Sequence, residues 1–220
     1  MIEAVIFDVD GTLVDSVDLH AECWKQAFEK FDRPVPFDQV RRLIGKGGDQ
    51  LIPSILSAED QKAFGEELDA FRSKLWKKDF ASKVKPFPCV RELFLALKKQ
   101  NVRIALGSSA KKQELETYEK LVNVQDLVDV RATSDDAELS KPAPDIFEAV
   151  MAKLRTDPKR TRVIGDTPYD VRAATRASLE TVAVLCGGFP QEELLAVGAK
   201  AVFRDPCELL SQLDRWAGGQ

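Results

Sequence analysis

The chain has 220 residues, 44% apolar and 31% charged, with 32 Lys and Arg against 36 Asp and Glu for a formal net charge of −4. This is the composition of a soluble globular protein of one domain with room for an insertion, and it excludes disordered, fibrous and collagen-like chains. The mild acidity argues against a broad basic face for nucleic acid, and no apolar run of about 18 residues offers a membrane span.

The opening M-I-E-A-V-I-F-D-V-D has no basic stretch ahead of a cleavable apolar one. It therefore reads as a first strand, Ala4–Phe7, of a cytoplasmic protein. From about Val17 to Lys83 no convincing strand follows. His20, Trp24 and Phe28 mark one helical stripe. Phe64, Leu68, Phe71 and Leu75 mark a second, preceded by Ser57-x-x-Asp60, a capping-box pattern. That segment is too long for a simple connection, and Lys85-Pro86-Phe87-Pro88 reads as its return linker.

Beyond the linker, Val90, Leu93, Phe94 and Leu97 recur at helical spacing, and the run ends at Lys98–Asn101. Ile146, Phe147, Val150 and Leu154 repeat the pattern. Between such stretches lie short apolar segments, most of them rich in β-branched residues: Val102–Leu106, Val128–Ala132, Arg162–Ile164, Thr181–Leu185 and Ala199–Phe203. Strands alternating with helices predict an α/β fold with a parallel sheet, functional residues at the carboxyl ends of its strands, and a helical insertion after the first strand. The expected division is a core of residues 1–16 and 84–220 and an inserted helical domain of 17–83, pivoting about Ser16 and Lys85. Cys23, Cys89, Cys186 and Cys207 form no C-x-x-C pair, and with His20, the sole histidine, no zinc pattern; four reduced thiols are expected. No serine or cysteine stands in a nucleophile-elbow context.

Four segments carry chemistry. Asp8 and Asp10 close the first strand in F-D-V-D-G-T, and at i and i+2 on an extended chain both point to one side. Adjacent carboxylates repel, and a hard cation such as Mg²⁺ would resolve the repulsion. Gly11 permits a tight turn, and Thr12 offers a hydroxyl and an N–H. Ser108 and Ser109 end the next core strand, where on their own they read as a helix N-cap. Lys141 precedes Pro142 and Pro144 in a loop, and G-D-T-P-Y-D carries Asp166 and Asp170 after a later strand. A parallel sheet would bring these strand ends together, as carboxylates, hydroxyls and a lysine suited to a phosphoryl group.

In this order and spacing, D-V-D-G-T, the Ser108 step, the Lys141 loop and G-D-x-x-x-D resemble the four motifs of the haloacid dehalogenase-like hydrolases. The resemblance implies a Rossmann-like core with a small helical cap. It implies Asp8 as nucleophile, Asp10 as general acid and base, and Lys141 as the neutralising cation. Mg²⁺ would be held by Asp8, the Asp10 carbonyl and Asp166, with Asp170 in support, while Ser108 would bind the phosphoryl group. Asp10 favours phosphoryl transfer over dehalogenation, because an alkoxide leaving group needs a proton and a halide does not. Gly11, Thr12, Ser109, His20, Lys46 and Gly47 complete the expected substrate contacts. The glycine-rich loop Gly45-Lys46-Gly47-Gly48-Asp49 looks like a specificity loop of the phosphoglycolate-phosphatase-type branch. The opening through His20 and Trp24 is also similar to β-phosphoglucomutase, whose matching loop carries an arginine; here the loop's only cation is Lys46, with Arg41 and Arg42 just before it. The expected function is hydrolysis of a small phosphomonoester, phosphoglycolate or a sugar phosphate, by a monomer or weak homodimer; the alternatives are a hexose-phosphate mutase and a non-catalytic phospholigand-binding protein.

Overall fold

The computed structural model describes residues 2–218. In chain order the core strands are β1 (Ala4–Phe7), then, beyond a two-residue strand β2 (Val14–Asp15) and its partner β3 (Lys85–Pro86), β4 (Arg103–Gly107), β5 (Val130–Ala132), β6 (Thr161–Gly165), β7 (Glu180–Val184) and β8 (Ala201–Phe203). Six of them form one parallel sheet in the order β5-β4-β1-β6-β7-β8. The chain runs outward from β1 in both directions, so the carboxyl end of β1 is a topological switch point where a crevice opens.

The helices are α1 (Val17–Lys30), α2 (Phe37–Arg41), α3 (Gly48–Leu51), α4 (Ala58–Leu75), α5 (Val90–Lys99), α6 (Lys112–Val122), α7 (Asp145–Leu154), α8 (Pro168–Arg176), α9 (Gln191–Ala196), α10 (Pro206–Ser211) and α11 (Leu213–Ala217). Alternation along β1 shows how the sheet is covered. Val5 and Phe7 face one core with α5, α6, α10 and α11, while Ala4 and Ile6 face another with α7 and α8. Each strand expected from the sequence is present, with ends that differ by no more than two residues. Among the described residues no helix is long and apolar enough to cross a membrane.

Between β2 and β3 the chain is helical and builds a separate apolar cluster around Ala21, Trp24, Phe28, Val40, Leu51 and Leu68. The segment leaves and returns through the antiparallel β2–β3 pair, with Val14 opposite Pro86 and Asp15 opposite Lys85. Ser57 caps α4 by accepting the Asp60 N–H. The second half of the expected capping box is missing; the Asp60 carboxylate instead accepts from Arg33 Nε and Nη2, at 2.9 and 2.8 Å.

The expectation of four free thiols is corrected. Cys89, at the N-terminus of α5, and Cys207, in α10, form a disulfide with Cα atoms 5.0 Å apart. The two helices pack on the same side of the sheet, and the bridge joins positions 118 residues apart in sequence, beyond any local spacing rule. Cys23 and Cys186 remain free. Ser108 and Ser109 are not a helix cap either: α6 starts at Lys112, and its N-cap is Lys111.

Candidate active site

β1 ends at Phe7 and delivers Asp8 into the crevice, with its N–H bonded to Ile164 of β6 at 2.8 Å. Asp8 and Asp10 both line one cavity, where the two carboxylates have different partners. Asp8 meets Lys141. Asp10 Oδ1 accepts from Ser16 Oγ at 2.6 Å and lies 3.0 Å from His20 Nε2.

Lys141 is 1% exposed. Its ammonium contacts Asp8, lies 2.7 Å from Asp170 Oδ1 and sits 5.3 Å from the centre of the Phe147 ring. Burial alone would lower its pKa, but Asp170 and Asp8 together hold it above the usual lysine range. Asp170 is placed by a capping box at the start of α8: its Oδ2 accepts from the Thr167 N–H and hydroxyl at 3.0 and 2.6 Å. Asp166, at the end of β6, is fully buried; Oδ1 accepts from Thr12 Oγ1 at 3.1 Å, and Oδ2 has no hydrogen-bond partner.

Ligand oxygens of Asp8, Asp166 and Asp170 lie within 4.8 Å of one another, all buried. One ammonium offsets only part of three carboxylates. Burial therefore pushes Asp8 up to about 7, against the pull of Lys141, and raises Asp166 well above the carboxylate range, with Asp170 and Asp8 adding to the effect. Backbone closes on the unpartnered Asp166 oxygen: a Cβ at Gly187 would lie 1.6 Å from Oδ2, and one at Gly11, where φ is +79°, 2.3 Å from it. An orphaned buried carboxylate oxygen among three acidic groups fits a hard divalent cation such as Mg²⁺. The Asp10 carboxylate is outside this cluster.

His20 is buried and stacks on Trp76, with ring centres 3.7 Å apart. Arg72 Nη2 approaches its Nδ1 at 2.7 Å. Arginine only donates, so Nδ1 accepts, the ring proton sits on Nε2, and His20 donates to Asp10. Burial would raise the Asp10 pKa, but His20, Ser16 and Arg72 outweigh it and hold the group below the usual carboxylate range. Thus two carboxylates two residues apart are biased in opposite directions, Asp8 toward its protonated and Asp10 toward its ionised form.

Above these groups lies a cavity of about 450 Å³, lined by Asp8, Asp10, His20, Trp24, Trp76 and the Ile44–Asp49 loop among others. Ser109 lines it, and its buried Oγ has no partner. Ser108 is buried at the end of β4, where its Oγ accepts the Ala110 N–H at 3.0 Å. Gly47 also lines the cavity and packs on Ser140, where a Cβ would come within 2.1 Å of Oγ. Lys46 lines it too, but its ammonium is engaged by Ser54 Oγ at 2.8 Å. Arg72 and Glu114 were not singled out in the sequence. Arg72 shares a helical face with Trp76 four residues on, the one signal available for it. Glu114 accepts from Tyr118 OH at 2.8 Å and lies 3.8 Å from His20 Nε2.

A doubly wound parallel sheet with buried carboxylates and a lysine at its switch point defines an α/β enzyme site for an anionic group. The family model of the haloacid dehalogenase-like hydrolases matches residues 5–184, and the chain belongs to that family. It is 29% identical over 215 residues to a phosphorylated carbohydrates phosphatase of Thermotoga maritima, covering 96% of this chain and 98% of that one. It is 30% identical over 222 residues to the β-phosphoglucomutase of Bacillus subtilis, covering 96% and 93%. Among solved structures, a hydrolase from Pseudomonas syringae superposes with a TM-score of 0.88 at 29% identity, covering 97% of this chain and 99% of that one.

Proposed function

We propose that the protein is a Mg²⁺-dependent phosphatase that hydrolyses a small phosphomonoester through an aspartyl phosphate on Asp8. The observation that carries this reading is Asp8 set against Lys141 at the floor of the cavity, with Asp10 held apart by its own donors. An Asp8 oxygen attacks phosphorus, and the bond to the leaving oxygen breaks. Asp10 is ionised in the free protein, so it takes up a proton from solvent as the phosphoryl dianion arrives beside it, then donates that proton to the leaving oxygen. Asp10, again a carboxylate, next takes a proton from water as the water oxygen attacks phosphorus, releasing phosphate and restoring Asp8. Ser16 and His20 keep the Asp10 carboxylate in place through both transfers, with Arg72 fixing the His20 tautomer. Asp8, Asp166 and the Asp10 carbonyl, supported by Asp170, would hold Mg²⁺, which would offset the negative charge of the carboxylates and the phosphoryl group. Lys141 neutralises Asp8 and the transferring group, and Ser108, Ser109 and the Gly11–Thr12 turn provide donors for phosphoryl oxygens.

Residues 17–83 act as a cap over this site, and its loop selects the leaving group. Hydrolysis is favoured over mutase chemistry because neither arginine beside the loop lines the cavity, and Arg72, the guanidinium that does, is held by His20 and the Trp24 and Trp76 rings. Arg41 is bonded to Asp18 at 2.6 Å and Arg42 to Glu193. The test is phosphate release from a panel containing phosphoglycolate and hexose 1- and 6-phosphates, with Mg²⁺ and with chelator, beside Asp8→Asn. Metal-dependent release that Asp8→Asn abolishes is expected. Wild-type turnover in Asp8→Asn would sink the mechanism, and isomerisation of a hexose phosphate without phosphate release would move the reading to a mutase.

A further inference from the structure

Arg41 and Arg42 are the guanidinium groups nearest the glycine-rich loop in sequence, yet neither lines the cavity: Arg41 pairs with Asp18 of α1, and Arg42 reaches Glu193 of the core. Arg42 sits in a socket. Its Nη2 donates to both Glu193 carboxylate oxygens, at 3.0 and 2.9 Å. Its guanidinium carbon lies 5.2 Å from the centre of the Phe189 ring, and its carbonyl accepts from Tyr169 OH at 2.7 Å. Tyr169 meets Phe189 edge-on, with centroids 6.4 Å apart, and its ring carries the Lys46 ammonium at 5.0 Å.

None of Arg42, Tyr169, Phe189 and Glu193 lines the cavity, but the loop that begins two residues later, Ile44–Asp49, does. That loop has little slack. Its far end is held by the Ser140 N–H on Asp49 Oδ2 at 3.0 Å, and a Cβ at Gly45 would lie 2.7 Å from Thr167 Cγ2. Tyr169 lies in the same turn as Asp166 and Asp170. The loop above the cavity is therefore indexed to the carboxylates beneath it.

We propose that Arg42 is a positioning residue: clamped by Glu193, Phe189 and Tyr169, it holds the Gly45–Asp49 loop over the cavity and keeps the helical segment closed. The kinetic arm of this inference rests on the phosphatase reading; the structural arm does not. The Arg42 and Glu193 side chains are 56% and 33% exposed, and an exposed ion pair alone shifts an equilibrium only about two- to fivefold. Loss of the arginine also strips the Phe189 face, so a shift of several-fold is expected.

The experiment compares Arg42→Ala, Glu193→Ala and the exchanged pair Arg42→Glu/Glu193→Arg in the full chain. Acrylamide quenching of tryptophan fluorescence reads opening, because Trp24 and Trp76 line the cavity while Trp216 is buried elsewhere. In the single variants quenching rises. KM for the best phosphomonoester rises about three- to tenfold with kcat changed less than about twofold, the pattern of a lost ground-state contact. The exchanged pair restores the ion-pair share of both, about two- to fivefold, and not the share owed to the Phe189 face. Wild-type quenching and KM in Arg42→Ala, or an exchanged pair no better than the single variants, would overturn the proposal. If the wild type turns over no phosphomonoester and quenching still follows this pattern, the phosphatase reading falls and the clamp stands. Should Arg42→Ala not fold, Tyr169→Phe removes one hydrogen bond and is expected to give a smaller shift in the same direction; no shift there counts against the clamp.

Discussion

Lys141→Met removes a buried charge and keeps most of the stem that lies against Phe147. In the native protein that ammonium is shared by Asp8 and Asp170. Breaking a buried pair by removing one partner costs about 3–5 kcal/mol. In a chain of this size about 1 kcal/mol moves the melting temperature by about 2–4 °C, so the variant should melt about 6–20 °C lower in chelator. The metal arm runs the other way. Without Lys141, the cluster of Asp8, Asp166 and Asp170 loses its internal counter-charge and should bind a divalent cation at least about tenfold more tightly, or about 1.4 kcal/mol. At a fixed Mg²⁺ concentration well above the dissociation constant, the melting temperature should therefore rise further in the variant than in the wild type, by about 3–6 °C. Thermal denaturation across a Mg²⁺ titration, with calorimetric affinities, reads both effects, while phosphatase turnover is lost. A Mg²⁺-induced rise no larger than that of the wild type would refute the charge argument even if the variant were inactive.

Gly187→Ala should abolish Mg²⁺-induced stabilisation and activity together, because its Cβ would occupy the position beside Asp166 Oδ2; an unchanged calorimetric Mg²⁺ affinity would contradict this. In chelator the protein should lose stability between about pH 5 and 8. Asp8 titrates at about 7 in the fold against 3.8 for an ordinary Asp, and Asp166 is raised too, so over this range the native state holds protons that the unfolded chain has released, and stability falls as pH rises. Saturating Mg²⁺ should flatten that slope, and a melting temperature in chelator that rises from pH 5 to 8 would contradict the sign. Ser57→Ala removes the α4 cap and should cost about 1 kcal/mol, or about 2–4 °C, with kcat unchanged; a melting temperature equal to that of the wild type would show the cap to be without effect.

The parallel sheet was legible because strands such as Ala4–Phe7 and Glu180–Val184 are buried on both faces and read as short apolar runs. The four motif segments could be ordered along the sheet edge for the same reason, since each follows a strand or a loop between strand and helix. What lay beyond reach was made by contacts across the insertion. Nothing near Arg72 in sequence announces that it meets His20, 52 residues away, or that Arg42 meets Glu193, 151 away. Cys89 and Cys207 are joined by the packing of α5 against α10 and not by a spacing pattern.

The β2–β3 pair has a bearing on how this architecture can change. The helical segment's two ends are hydrogen-bonded neighbours, Val14 beside Pro86 and Asp15 beside Lys85. The stalk pairs those ends, and the entropy of closing the chain between them grows only slowly with its length. The sheet therefore presents the same two attachment points to an insert of any length, much as a socket accepts interchangeable heads. A graft could exchange the residues between Ser16 and Val84 for a relative's while leaving Asp8, Lys141 and Asp166 in place, provided the incoming segment again supplies the partners that His20 and Arg72 give Asp10, and selectivity could drift through that exchange without altering the strand register beneath.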